Sequence, residues 1–193
     1  MMGTAPGPKP DLSVVKIGGG LTAIPQALDR VCSAVAAAAR DHCLVVVPGG
    51  GPFADAVREF DHRERISADS AHWMAILAMD QFAHVLVGRI AGAVLVDEPG
   101  EALEAVCQGR VAVLAPSRWM RAADVLPHRW DVTSDSIAAF VAGALGAVRL
   151  VLVKPTADGH PVDAFFQTAL PAGMPYLMMS WDRIEELGAR LSG

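Results

Sequence analysis

Lys16 ends an apolar run and is followed, one residue on, by three consecutive glycines, Gly18, Gly19 and Gly20. A second apolar run leads into a second triplet, Gly49, Gly50 and Gly51. Consecutive glycines let the backbone reach positive φ and approach a ligand with no Cβ in the way. Successive N–H groups can form an anion-binding nest, and a helix that follows adds its N-terminal field. One triplet is equally well a tight strand-to-helix turn. Two, some thirty residues apart and each between a strand and a helix, suggest two phosphate or oxyanion sites facing each other. Neither triplet has the Walker A or GxGxxG spacing. The chain has only three lysines, Lys9, Lys16 and Lys154, and two of them fall beside such loops. Asp135 stands where a helix begins; it is read either as a helix cap or as a carboxylate that orients cations. Two lysines, two nests and one placed carboxylate fit phosphoryl transfer, which needs positioning and charge neutralisation more than covalent chemistry.

These residues have to be carried by a suitable frame. Short apolar runs at 12–17, 44–47, 93–96, 111–114, 129–132, 150–153 and 176–179 read as strands. Several are nearly continuous Val, Leu and Ile, as in strands buried on both faces of a parallel sheet. Helical patterns fall between them, at 24–40, 52–60, 69–87, 100–107, 136–145 and 182–191. Pro25 suits a first helical turn, Ser67 an N-cap and Gly88 a helix stop. The alternation is that of an α/β layered domain. In an open parallel sheet ligands bind at the carboxyl ends of the strands. If the strands are parallel, the loops at 18–20, 49–52, 133–136 and 154–159 share one edge.

Composition bounds the rest. The chain has 193 residues and a mass of 20.3 kDa, with 52% hydrophobic and 19% charged residues. About 70% of its surface can be buried at that size, enough for one sizeable core. A net charge of −5 without a Lys/Arg cluster argues against a nucleic-acid surface. The longest charge-free run, residues 164–181, holds Pro171, Pro175, Gln167 and Ser180 and makes a poor membrane span. Cys32, Cys43 and Cys107 are too few and too scattered for a disulfide framework or a zinc site and read as buried thiols. The histidines have no metal-ligand spacing, and no protein metal site is expected. Residues 1–11 read as a flexible lead-in without a signal-peptide core, and 12–193 as one domain of a cytoplasmic protein.

The segments VVKIGGG (14–20), VVVPGGGPFADAVR (45–58), TSDSIAAFVAGALGA (133–147) and LVLVKPTADG (150–159) together resemble the amino acid kinase family, in the family order. The resemblance implies a three-layer αβα sandwich on a mostly parallel sheet. It implies ATP and Mg²⁺, with in-line transfer of the γ-phosphoryl group. Lys16, with Lys154, would then stabilise the transferring group and Asp135 would organise the lysines. Gly18, Gly19 and Gly20 would bind ATP phosphates through backbone N–H groups, and Thr156, Asp158 and Gly159 would border the nucleotide. Gly49, Gly50 and Gly51 would hold the acceptor. The sequence departs from the family pattern at Gly20, where many relatives have Ser, and in KPTADG, where they have a TDVDG-like string. It also lacks the histidine after the second glycine loop on which isopentenyl phosphate kinases rely.

Residues 67–86, SADSAHWMAILAMDQFAHVL, resemble the branch of the family that contains the kinase of aminomethyl-furanmethyl phosphate, which makes a diphosphate in methanofuran-type cofactor synthesis. Such an acceptor would need a cation for its phosphate, Arg58 or Arg63. It would need a carboxylate for its ammonium, Asp55 or Asp69, and an apolar wall for its furan, Trp73 or Met74. His72 reads as a satisfied buried histidine on a helix that is apolar nearly all round. The alternatives are a uridylate kinase or another acceptor kinase of the family, or a storage-like protein that binds nucleotide or oxoanion without catalysis. The expected partners are a small phosphate acceptor and a second copy of the chain, with no nucleic acid and no membrane.

Overall fold

The structure is a computed structural model, and it describes residues 11–156 and 162–193. Six strands build one sheet: β1 (Leu12–Ile17), β2 (Cys43–Pro48), β3 (Ala93–Val96), β4 (Val111–Leu114), β5 (Arg149–Lys154) and β6 (Tyr176–Ser180). Their order is β3-β4-β2-β1-β5-β6, and every neighbouring pair is parallel. The helices are α1 (Ala27–Ala38), α2 (Gly51–Glu64), α3 (Ala68–Val87), α4 (Pro99–Cys107), α5 (Ser117–Ala123), α6 (Ser134–Leu145), α7 (Phe166–Ala169) and α8 (Leu187–Ser192). This is the three-layer αβα sandwich the motifs imply.

Side-chain alternation along the strands divides the core between the two faces of the sheet. Val14, Val45, Val47, Leu150 and Leu152 pack with α4, α6 and the middle of α3. Val15, Ile17, Val46, Val151 and Val153 pack with α1, α8 and the C-terminal part of α3. α3 serves both layers, with Ile76 and Met79 in one cluster and Phe82, Ala83 and Leu86 in the other. That double duty explains why it is apolar nearly all round. Ser67 caps it, accepting from the Ser70 N–H at 3.1 Å.

Several expected boundaries move. Residues 129–132 form no strand: Val132 N–H donates to the Arg129 carbonyl at 3.1 Å, closing a turn. The Arg-Trp-Asp-Val alternation mimics a strand, but it is the alternation of a bent segment anchored by its side chains. α1 starts at Ala27 rather than residue 24, because Gln26 takes φ 64° and breaks the helical path. The last expected helix is a 3-10 segment, Trp181–Glu186, before α8. α5 and α7 were not expected. Cys107 is exposed and Cys43 half-buried; only Cys32 is a buried thiol, and burial pushes its pKa up to about 12. No helix among the described residues is long and apolar enough to cross a membrane.

Candidate active site

β1 and β5 lie side by side, yet their onward connections leave in opposite directions, β1 towards β2 and β5 towards β6. A crevice opens at the carboxyl ends of such strands. Register then places the two lysines. Lys16 pairs with Leu152, and Lys154 lies two residues further along the same face. Val14, Leu150 and Leu152 point into the α6 layer, so Lys16 and Lys154 do as well. Asp135, in the first turn of α6, meets both.

Lys154 Nζ donates to Asp135 Oδ2 at 2.7 Å. Lys16 Nζ lies 2.9 Å from Oδ1. That second contact is an ion pair off the hydrogen-bonding direction, because Oδ1 has no hydrogen-bond partner. All three side chains are buried: Lys16 and Lys154 are 6% exposed and Asp135 4%. Burial opposes the charge on Asp135, but the Lys16 charge and the Lys154 hydrogen bond outweigh it and hold its pKa below the ordinary carboxylate value. Two ammonium groups are thus fixed on one carboxylate at the crest of the sheet.

The two glycine loops touch each other. A Cβ on Gly19 would fall 2.2 Å from the Gly51 nitrogen, and one on Gly49 would fall 2.6 Å from the Gly19 nitrogen. Gly51 also takes φ +56° at the start of α2. So much of the glycine requirement is loop-on-loop packing rather than ligand approach. Gly18 N–H donates to the Val153 carbonyl at 2.9 Å, and Gly49 N–H to the Ile17 carbonyl at 2.8 Å. Those two N–H groups extend the sheet and are already spent, so Gly18 does not offer its N–H to ATP phosphates as the resemblance implied, and Gly49 can hold an acceptor only by other means. Gly19, Gly20, Gly50 and Gly51 face the cavity. Gly20 sits beside Pro155, with a virtual Cβ 3.1 Å from the proline Cγ. Thr156 is exposed just past β5; Asp158 and Gly159 lie outside the described residues.

A cavity of about 300 Å³ opens between the glycine loops, α2, α3 and the turn at 129–134. Its polar lining includes Asp55, Arg58, His72 and Arg129, and its apolar lining Ile76, Met79 and Trp130. Arg63, Asp69, Trp73 and Met74 do not line it. Asp55 is largely exposed and paired with Arg58 at 3.0 Å. Trp130 takes the wall position expected of Trp73: its Nε1 donates to Asp61 at 2.7 Å, and the Arg58 guanidinium lies 4.8 Å from its ring centroid.

Sequence reasoning missed Asp163. Its carboxylate accepts from the Thr133 N–H at 3.0 Å, the Thr133 hydroxyl at 2.7 Å and the Ser136 N–H at 3.0 Å. The Ser136 hydroxyl and the Phe165 N–H donate to its other oxygen. The local cap of α6 is weak, Asp135 N–H to Thr133 Oγ1 at 3.5 Å, so Asp163 supplies the cap from outside. It stands 27 residues from Ser136, and no local pattern marks it.

A sequence profile of the amino acid kinase family matches residues 11–157. The chain belongs to the amino acid kinase family. It is 32% identical over 150 residues to (5-(aminomethyl)furan-3-yl)methyl phosphate kinase of Methanocaldococcus jannaschii, covering 77% of this chain and 67% of that one. Among solved family folds, UMP kinase from Bacillus anthracis superposes with a TM-score of 0.70 at 11% identity, covering 95% of this chain and 93% of that one. Uridylate kinase from Archaeoglobus fulgidus superposes with a TM-score of 0.58 at 20% identity. The alignment covers 74% of this chain and only 62% of that one. At such identities the two structures establish the amino acid kinase fold, not the acceptor.

Proposed function

We propose that the chain is an ATP-dependent kinase that phosphorylates a small phosphomonoester to a diphosphate, with (5-(aminomethyl)furan-3-yl)methyl phosphate as acceptor. The observation that carries the chemistry is the buried Lys16–Asp135–Lys154 bridge beside two abutting glycine loops. In this reading the two ammonium groups meet charge that develops on the γ-phosphoryl oxygens, and Asp135 keeps them at a fixed spacing. The acceptor phosphate lies in the cavity against Gly50, Gly51 and Arg58, and ATP lies over Gly19, Gly20 and the segment from Thr156 through Asp158 and Gly159. A phosphate acceptor is largely ionised at neutral pH, so no general base is needed. The choice of acceptor is supported by the Methanocaldococcus jannaschii relative and by the cavity, which offers donors, an aromatic wall and acceptors to one small ligand.

Among the described residues no group of three His, Cys, Asp or Glu side chains stands ready to hold a metal. In this reading a magnesium ion would be held through the phosphates of the nucleotide, where it would neutralise charge. A homo-oligomer in the cytoplasm, with residues 12–193 as one folding unit, belongs to the same reading. The exposed Leu77 on apolar α3 supports the oligomer, and light scattering tests it.

The deciding experiment is ADP release from ATP–Mg²⁺ with four acceptors: the furan phosphate, UMP, isopentenyl phosphate and acetylglutamate. Turnover on the furan phosphate alone is expected. Lys16→Ala is expected to lower kcat roughly 100- to 1,000-fold while folding normally. Near-wild-type turnover by that variant, or turnover on another acceptor only, rejects the assignment.

A further inference from the structure

His72 lines the cavity and is only 9% exposed. Neither of its ring nitrogens hydrogen-bonds a described residue. Among the described residues Asp135 Oδ1 is the one fully buried side-chain polar atom without a hydrogen-bond partner. The nitrogens of His72 are therefore not sealed in; they keep contact with open space. Two spaces adjoin the ring. One is a void of about 10 Å³ against Met120, Asp124 and Leu126, at the lower limit for a single water. The other is the cavity of about 300 Å³. The larger cavity has room for a ligand group beside the ring.

The ring is held without use of its nitrogens. It stacks on His128 with centroids 4.1 Å apart and planes 17° apart, and Trp73 meets it edge-on at 4.9 Å. His128 is itself pinned between Asp69 at 2.7 Å and Asp124 at 2.9 Å. The Arg121 guanidinium lies over the Trp73 ring, 4.5 Å from its centroid. Burial, reinforced by the charge on His128, lowers the His72 pKa to about 4 against the opposing pull of Asp124 and Asp69. At neutral pH the ring offers one N–H and one lone pair.

Position decides what the ring meets. Phe82 packs on Gly51, 3.6 Å from its virtual Cβ. His72 stands ten residues earlier on α3, about 15 Å along the helix axis. The glycine loops and His72 thus stand apart along the cavity. The glycine N–H groups belong to the loop end; Arg58, seven residues into α2 from Gly51, stands about 10 Å further along that helix. Asp69 is committed to His128, and Asp55 is committed to Arg58.

We propose that His72 is a specificity residue: it accepts a hydrogen bond from an N–H of the acceptor in the part of the cavity away from the glycine loops, and so selects an amine-bearing phosphomonoester. This rests on the acceptor reading above and adds the residue that distinguishes such an acceptor from one without the amine. The test is steady-state kinetics with the aminomethyl furan phosphate and with its methyl analogue, in which CH₃ replaces CH₂NH₃⁺. His72→Phe keeps a flat ring and removes both nitrogens. It is expected to raise KM for the amine about tenfold or more. The readout is the split between the two acceptors: the rise in KM for the amine is expected to exceed any change for the methyl analogue by about tenfold. His72→Gln, which keeps an acceptor oxygen, retains part of the discrimination, and His72→Leu loses it; that pair carries the test if the Phe variant is unstable. Equal changes for both acceptors, or none for either, overturn the role of His72. Wild-type silence on the amine acceptor with turnover of another phosphomonoester overturns the acceptor reading itself, and the His72 role with it.

Discussion

Lys16 and Lys154 are placed by strand register, and Gly19 and Gly51 by direct backbone contact. Trp130 and His72, in the cavity wall, are placed by the side chains around them: Arg58 and Asp61 for one, His128 and Trp73 for the other. The difference is one of tolerance. Backbone contacts leave no room for an added carbon, and a sheet register slips by whole residues or not at all. A wall of side chains can be re-cut one residue at a time. On the function proposed above, the frame would fix the chemistry, while α2, α3 and the turn at 129–134 would set the choice of acceptor.

The sharpest break of the frame end is Asp135→Asn. It leaves two buried ammonium groups without their shared carboxylate, and losing one partner of a buried ion pair costs about 3–5 kcal/mol. Both activity and stability are expected to fall, and thermal melting beside the ADP assay separates them. Full activity at a lowered melting temperature would make Asp135 a helix residue only. Next come the glycines. Gly19→Ala puts a Cβ 2.2 Å from the Gly51 backbone nitrogen, whereas Gly20→Ala meets the Pro155 ring at 3.1 Å. Overpacking of the first kind costs about 1–3 kcal/mol or more. Gly19→Ala is expected to be the worse variant in both stability and turnover. Equal effects would mean that the loops part easily.

This contrast also explains what the sequence made legible. Strand runs, glycine triplets, Lys16, Lys154 and Asp135 follow from local pattern, because backbone-built features leave local traces. Residues 129–132 misled for the same reason: their alternation is local, but the Asp61 and Arg58 contacts that bend them come from α2. His72 read as satisfied because burial is visible in an apolar helix and a missing hydrogen-bond partner is not. Arg63, Asp69, Trp73 and Met74 were near the cavity in sequence but on the wrong arc of their helices. Asp163 left no trace, since the Thr133 and Ser136 groups it caps lie 30 and 27 residues away.

Asp163 couples the two building styles, because one side chain fixes the backbone turn that carries Asp135. Asp163→Asn keeps the shape and turns one acceptor into a donor that faces other donors. Stability is expected to fall by about 1 kcal/mol, the usual size of a lost cap. If the cap also aligns Asp135, kcat falls about tenfold with KM for the acceptor unchanged. A stability loss with kcat intact would leave Asp163 a cap and nothing more.

The smallest expected effect sits at the cavity wall, in the stacked histidines. For His72 the folded pKa, about 4, lies below the ordinary 6.5. Between those values the unfolded chain binds a proton that the folded chain refuses, so stability drops as the pH falls from 6.5 to about 4. His128 runs the other way. Its hydrogen bonds to Asp69 and then Asp124 raise its pKa above 6.5, so its contribution is complete below 6.5 and fades as the pH rises through the folded value. Asp135 is held below 3.8, so its contribution is lost only at still lower pH, outside this window. His72→Phe removes the first effect and keeps the second. The fall in melting temperature between pH 6.5 and 4 is therefore expected to be shallower in the variant than in the wild type. Parallel curves would mean that His72 takes its proton in the folded protein as readily as in water, and the ring would then reach the acceptor charged, with no lone pair to offer.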